Sequence, residues 1–539
     1  MAVVKPASKG ALMQKLVATS LASLMFAGSL INPTVAGAQA GTTTPIKHLV
    51  VIYQENVSFD HYFGTYPNAL NPPKEPVFNA APGTPAVNGF TDALLYSNPN
   101  FLNSAVNGTA AANPFRLDRS EAATNDQDHD YMPEQQAFHA GLMDSFPKYT
   151  GTPGPPPAGQ TTGGLVMGYY DGNTVTAYWN YAQRYAMSDN SYGTNFGPST
   201  DGALNLISGQ LNGVSDQVNA SADVIGDGGG GYTLISDADP VGDVCSTTTG
   251  AQLAMSSQNV GDLLNSRGIS WGFFEGGFDL TVKNSNGTTG CARSTVSAVT
   301  GVNKADYIPH HQPFQYYTST QNLKHTRPSS PSTVGIDGDP ANHQYDLHDF
   351  FDAINAGNFP TVSYLKAPGF QDGHAGYSDP LDEQTFVVSV INFLQKQKDW
   401  ANTAVVIAYD DSDGWYDHQM GPIVNQSATT MDALTGTAQC GTGDAALSGV
   451  TIAHAQGRCG YGPRLPLLVI SPYAKKNYVD HSVTDQSSIL RFVEDNWLDG
   501  QRIPGSFDSL AGKLNVMFNF NSPDASLYQL NPTTGEPTN

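Results

Sequence analysis

His48-Leu-Val-Val-Ile-Tyr-Gln-Glu-Asn-Val-Ser-Phe-Asp-His-Tyr-Phe-Gly64 begins with a short apolar run and breaks into polar residues. Leu49 to Tyr53 is continuous and rich in β-branched side chains, which predicts a strand buried on both faces. Gln54, Glu55 and Asn56 follow at its carboxyl end. In open α/β sheets ligands bind at that edge, so oxygens placed there can reach a metal or a substrate. Taken alone, Glu55 and Asn56 read slightly better as loop residues capping the next turn.

A second run changes that balance. Thr403-Ala-Val-Val-Ile-Ala-Tyr409 passes into Asp410-Asp411 and then Ser412-Asp413-Gly414-Trp415-Tyr416-Asp417-His418. Two strands that both end in hard oxygen ligands point to a divalent metal site shared across one sheet edge. Strands separated by helices and long loops predict an α/β domain with a mostly parallel sheet.

Glu-Asn-x-Ser-Phe-Asp-x-Tyr-Phe-Gly near the start and Tyr-Asp-Asp-x-x-Gly-Trp-Tyr-Asp-His late in the chain resemble the bacterial acid phosphatase and non-specific phospholipase C family. The resemblance runs from about His48 to Trp497. It implies an alkaline-phosphatase-like, three-layer α/β/α fold with a mostly parallel central sheet and long loop insertions. It also implies a phosphoric ester hydrolase.

Residues 1–40 read as a secretory leader. Lys5, Lys9 and Lys15 form a positive start, Leu16 to Leu30 an apolar stretch, and Ala38-Gln39-Ala40 a cleavage site. A membrane anchor is the competing reading, and Thr19, Ser20, Ser23 and Gly28 interrupt the run against it. Residues 41–539 then form one catalytic domain, with insertions and a polar C-terminal tail. The expected location is the periplasm or the exterior. Removing the leader takes three lysines and no acid, so a net charge of −23 becomes −26. That acidity argues against nucleic acid and anionic membranes as partners. Four cysteines in an exported chain read as disulfides, and proximity favours Cys245–Cys291 and Cys440–Cys459. A zinc site is the weaker alternative, since only His454 lies near Cys459.

Other elements follow in order. Asn68 to Asn113 reads as a surface excursion, Met132 to Phe146 as a short helix, and Tyr149 to Gly164 as a loop. Ala220 to Pro240 reads as a flexible insertion or edge hairpin. Val260 to Asn265, Asp382 to about Lys398 and Ser487 to Trp497 read as helices. Ile269 to Phe274, Pro360 to Lys366 and Leu467 to Ile470 read as strands.

Gly197-Pro198 forms a turn before Ala203 to Ser208, which is helical in composition, so Ser199 or Thr200 falls at a helix start. Free N–H groups there make an anion site, although such a hydroxyl is more often just a cap. The resembled family has its nucleophile at this Gly-Pro-Ser, which carries over to Ser199. Asp201-Gly202 departs from the Pro-Asn of many relatives and keeps Thr200 as a rival. By the same resemblance, His129, His311 and His374 become phosphate ligands, one of them the acid for the leaving oxygen. His310 is then a bystander, and Asp417, His418 and His481 are weaker candidates. Three histidines around phosphate would supply positive charge while protonated.

The reading is therefore a metal-dependent hydrolase of acid phosphatase type. One divalent ion (Mg, Ca, Mn or Zn) is held by Glu55, Asn56, Asp410, Asp411 and Ser199, and a phosphoserine forms. The partner is a small phosphorylated substrate or a phospholipid headgroup, and no stable membrane anchor is expected. The sequence leaves the oligomeric state open. A phospholipase C is the alternative, and a non-catalytic metal-stabilised binding protein comes last. No basic amphipathic helix or exposed aromatic run announces lipid binding, which favours the monoesterase.

Overall fold

In the computed structural model, which describes residues 41–154, 161–441 and 459–538, the opening run forms strand β1, His48–Gln54. The leader expected at residues 1–40, the prolines at 155–157 and His454 lie outside the described residues. The strands joined to β1 in one sheet are β2 (Ala186–Ser188), β3 (Trp271–Glu275), β4 (Gln344–Asp346), β5 (Val362–Lys366), β6 (Thr403–Tyr409), β7 (Leu467–Ile470) and β8 (Tyr478–Asp480). Their order across the sheet is β4-β3-β5-β1-β6-β7-β2-β8. Only β7 runs antiparallel to its neighbours, so the sheet is mostly parallel, as expected.

Every residue of β1 from Leu49 to Gln54 is buried, and so is all of β5 and β6. Successive side chains point to opposite faces, so continuous burial means that both faces are covered. Two tyrosines identify the covers. Tyr53 lies beside Ala408 and Gln54 beside Tyr409, so Tyr53 and Tyr409 point to opposite sides. Tyr409 donates its hydroxyl to Glu383 at 2.7 Å, on helix Pro380–Gln395. Gln486, which precedes helix Ser487–Trp497, donates to the Tyr53 hydroxyl at 3.2 Å. These helices form the outer layers of an α/β/α stack.

Several expectations need local correction. The helix predicted over Met132 to Phe146 is Tyr131–Phe138, because His139 and Ala140 take φ of 46° and 53° and break it. Helix Pro380–Gln395 stops before Lys398. The excursion after β1 carries short helices, Asp92–Tyr96, Pro99–Leu102 and Ser104–Asn107. The glycine-rich insertion does form a hairpin, Val224–Gly226 against Tyr232–Leu234. Cys245–Cys291 and Cys440–Cys459 are bonded as expected, with Cα atoms 5.2 and 5.8 Å apart. Among the described residues, no helix is long and apolar enough to cross a membrane.

The helix that carries the candidate nucleophile is Ser199–Ser208, entered from Pro198. Its first turn presses on the end of β6. A Cβ on Gly202 would stand 2.1 Å from the carbonyl oxygen of Asp410. Gly202 thus lets the helix start seat against the acids. In an ordinary helix, Gly→Ala gains about 1 kcal/mol. Here the contact outweighs that gain, and Gly202→Ala should lose about 1–3 kcal/mol of stability. Urea unfolding checks this, and unchanged or higher stability would contradict it.

Candidate active site

The loops that leave β5, β1 and β6 are laced together by the main chain. Glu55 N–H donates to the Asp372 carbonyl at 2.9 Å and Val57 N–H to that of Asp411 at 2.9 Å. Asp410 N–H donates to the Gln54 carbonyl at 3.2 Å. Asn56 takes φ of 55°, a conformation asparagine tolerates, and its N–H donates to Asp410 Oδ1 at 3.1 Å. This places Glu55, Asn56, Asp410 and Asp411 on one patch, buried beneath the loops.

Ser199 reaches the same patch from the helix start. Its Oγ lies 3.0 Å from Glu55 Oε2, 3.0 Å from Asp411 Oδ2 and 3.4 Å from Asn56 Oδ1. Thr200 turns elsewhere. Its N–H and hydroxyl both donate to Asp237 Oδ1, at 2.9 and 2.7 Å. Of the two rival hydroxyls, only that of Ser199 faces the acids.

Charge is concentrated here. Burial, then the neighbouring Glu55 carboxylate, pushes Asp410 well above the usual carboxylate range. Burial raises Asp411 to about 7. Lys366, at the end of β5, partly offsets them by donating to Glu55 and, at 3.1 Å, to Asp410 Oδ2. Glu134 lies one layer behind, accepting from Ser412 at 2.7 Å and from Gly197 N–H at 3.1 Å, and burial raises it to about 8.

The three histidines converge, but not with equal charge. Burial lowers the pKa of His311 well below its ordinary value, and the charge of Lys366 lowers it further. Its Nδ1 is 3.3 Å from Glu55. Burial lowers His374 to about 4, and its Nδ1 lies 2.6 Å from the Ala375 carbonyl. At His129, burial acts downward, but Asp411, Asp413 and Asp126 outweigh it and raise the pKa well above the ordinary value. The expectation of three charged imidazoles therefore fails for His311 and His374. Its physical reason is desolvation, which a motif does not display.

The oxygens around Ser199 test whether a cation fits. His129 Nδ1 is 2.8 Å from the Gln127 carbonyl and His374 Nδ1 is 2.6 Å from that of Ala375, so each Nδ1 carries a proton. His129, held cationic, is protonated on Nε2 as well, 3.3 Å from the Asn56 amide. An amide turned with its oxygen towards that N–H accepts from it and donates to Glu55 Oε2 at 2.6 Å and Asp410 Oδ1 at 3.0 Å, so the amide alone needs no cation. The carboxylates of Glu55, Asp410 and Asp411 are nevertheless buried together beside the Ser199 hydroxyl, and Lys366 offsets only part of their charge. That oxygen donor set fits a divalent ion.

Reading by motif missed Lys366, Glu134, Asp237 and Asp372. Lys366 ends an apolar strand and Asp237 lies in a glycine-rich insertion, so neither carries a local signal. His310 pairs with Asp239 at 3.5 Å, and its ring stands at 83° to that of His311. His481 is largely exposed and pairs with Asp189 at 2.8 Å, away from Ser199. Asp126 and Asp413 flank His129, at 3.7 and 3.4 Å from its Nδ1.

A buried serine at a helix start, facing strand-end acids across a parallel sheet edge, defines a hydrolase-like site. Residues 46–498 match the Phosphoesterase family, and the chain belongs to it. It is 26% identical over 520 residues to a non-hemolytic phospholipase C of Burkholderia pseudomallei, covering 93% of this chain and 63% of that one. It is 23% identical over 516 residues to phospholipase C A of Mycobacterium tuberculosis, covering 91% and 80%. The chain thus spans less than two thirds of the Burkholderia protein's length. A solved structure in the alkaline phosphatase superfamily, from Vibrio parahaemolyticus, is 9% identical over 61% of each chain with a TM-score of 0.27. That likeness is too slight to add to what the sheet itself shows.

Asp417 and His418 belong to a buried network beside this site, not to its face. Arg464 donates to Asp60 Oδ1 at 2.9 Å and to Asp417 Oδ2 at 3.1 Å, with the Phe59 ring 4.4 Å beneath it. His418 N–H donates to Asp60 Oδ2 at 2.9 Å, and Asn88 Oδ1 is 3.3 Å from its Nε2. Burial lowers the pKa of His418, but Asp60 and Asp417 outweigh it and Arg464, and the net shift is upward. A raised folded pKa means stability that is fully present below the unfolded value near ~6.5 and lost as pH rises through the folded value. The stability gap between wild type and His418→Gln should therefore be widest near about pH 5.5 and narrow towards about pH 9. Urea unfolding at the two pH values checks this, and a gap that widens with pH would contradict it.

Proposed function

We propose that this chain is an exported, metal-dependent phosphoric ester hydrolase of acid phosphatase type, working through a phosphoserine in one catalytic domain that follows the leader. The observation that carries it is the Ser199 hydroxyl, 3.0 Å from both Glu55 and Asp411 at a helix start, in a member of the Phosphoesterase family. Glu55, Asn56, Asp410, Asp411 and Ser199 would hold one divalent ion, and their oxygens suit Mg, Ca or Mn, with Zn compatible. When bound, the ion lowers the pKa of the serine hydroxyl and offsets phosphoryl charge.

The protein's own groups do the rest. Ser199 Oγ gives up its proton towards Asp411 and attacks phosphorus in line, forming the Oγ–P bond as the leaving oxygen departs. His129, cationic between Asp413 and Asp126, protonates that oxygen. His311 and His374 line the phosphoryl group as neutral rings. Water then attacks the phosphoserine, phosphate leaves, and Oγ regains a proton. Two disulfides accord with an oxidising compartment, hence a periplasmic or secreted location. An acidic surface leaves small phosphorylated molecules as better partners than nucleic acid.

A phospholipase C reading has two specific supports. The relatives carry that name. The short helices after β1 also expose Tyr96 (73%), Phe101 (47%) and Leu102 (66%), large apolar side chains whose exposure the sequence did not announce. The non-catalytic reading needs a lost nucleophile or ligand, and Ser199 and all four partners are present.

Ser199→Ala should lower turnover of p-nitrophenyl phosphate on the order of 10⁴-fold or more while unfolding as wild type does. Thr200→Ala should keep most of it. The reverse pattern would move the nucleophile by one residue. Exhaustive chelation should abolish turnover and metal should restore it. Full activity with no metal by elemental analysis would refute the metal role. Assaying phosphatidylcholine beside the monoester separates the two substrate readings.

A further inference from the structure

Lys304 stands at the centre of a hairpin, Ser294–Val296 against Asn303–Ala305, opposite Thr295. Gly369 N–H, in the loop after β5, donates to the Asp306 carbonyl at 3.1 Å and ties the hairpin to the site. The lysine stem runs along Gly369, where a Cβ would stand 2.9 Å from Lys304 Cγ. Its ammonium lies 3.6 Å from the centre of the Tyr377 ring. That ring stacks on His374, with centroids 4.4 Å apart and planes at 22°, and its hydroxyl donates to Asp372 at 3.1 Å. Contacts therefore lead from Asn56 through His374 and Tyr377 to Lys304.

Lys304 differs from the other cations near the site. Lys366 is committed to Glu55 and Asp410, Arg293 to Asp306 and Asp346, and His310 to Asp239. Lys304 has the aromatic face, and no carboxylate among the described residues forms an ion pair with it. Its charge nonetheless acts on Asp372, His311 and His374. In a chain of net charge −23, an unpaired, half-buried ammonium beside the reaction centre is an electrostatic lure for an anion. A phosphomonoester carries close to two negative charges above its second pKa near ~6, whereas a diester carries one.

We propose that Lys304, acting through space from its seat on the Tyr377 ring, attracts the second negative charge of a phosphomonoester and so biases the site towards monoesters over diesters. This rests on the hydrolase reading above. It is tested on the full-length, metal-loaded enzyme near about pH 8, where inorganic phosphate is mostly a dianion, using whichever chromogenic ester the wild type turns over. Inhibition constants are measured for inorganic phosphate and for dimethyl phosphate, in wild type, Lys304→Met and Lys304→Arg. Lys304→Met should weaken phosphate inhibition on the order of tenfold and dimethyl phosphate inhibition by less than about threefold. Its effect on a monoester should appear in KM more than in kcat, and Lys304→Arg should restore most of both. Unchanged phosphate inhibition, an equal loss for both inhibitors, or an arginine variant as weak as the methionine one would overturn the proposal while leaving the hydrolase reading intact. A wild type that turns over no phosphate ester would instead sink the hydrolase reading and this one with it.

Discussion

Parallel pairing of β1 between β5 and β6 is the constraint on which the site depends. The register from His48 opposite Thr403 to Gln54 opposite Tyr409 holds the two strands flush at their carboxyl ends. Residues that follow them therefore emerge side by side, although more than three hundred positions separate them in the chain. Side-chain alternation fixes the rest. A slip of one residue would turn every side chain of β1 to the other face and separate Glu55 and Asn56 from Asp410 and Asp411.

Bringing those acids together has an electrostatic consequence that shapes everything near them. Burial disfavours the charged form and neighbouring carboxylates add to it, which is what raises Asp410 and Asp411. The fold answers with one ammonium placed from the adjacent strand, Lys366, and with an imidazole at His129 that the surrounding carboxylates keep charged. The oxygens left over around Ser199 and Asn56 remain short of positive charge. That shortage argues for a cation independently of any family resemblance.

Legibility in the sequence followed the reach of each residue's determinants. β1, β6, β7 and helix Ser487–Trp497 were readable because each is a continuous apolar run or stripe whose type is set locally. β2, β4 and β8 are three residues each, too short to show a period, and exist because a neighbouring strand offers hydrogen bonds. The same division holds at the site. Glu55, Asn56, Asp410 and Asp411 announce themselves by their position at strand ends. Lys366, Glu134 and Asp237 acquire their places only when distant segments meet. The charge of His311 and His374 depends on burial, so adjacency to a motif could not give it. Asp417 and His418 show the converse, since they continue the late motif in sequence yet turn towards Arg464.

That turn explains how the acid patch is held from its far side. Asp60 lies four residues beyond Asn56, and Asp417 lies six beyond Asp411, so Arg464 clamps the same two loops that carry the acids. Strand pairing fixes each loop at its start and the guanidinium fixes it further on. A buried charged network of this kind is weak evidence for stability, because desolvation offsets much of its attraction. Its value lies in geometry, because a reaction centre displaced by even about 1 Å loses much of its rate. Repelling carboxylates would splay two loops that were anchored at one end only. Anchored at both ends, the loops cannot separate to relieve that repulsion, and the strain that remains is one that positive charge bound among the oxygens relieves.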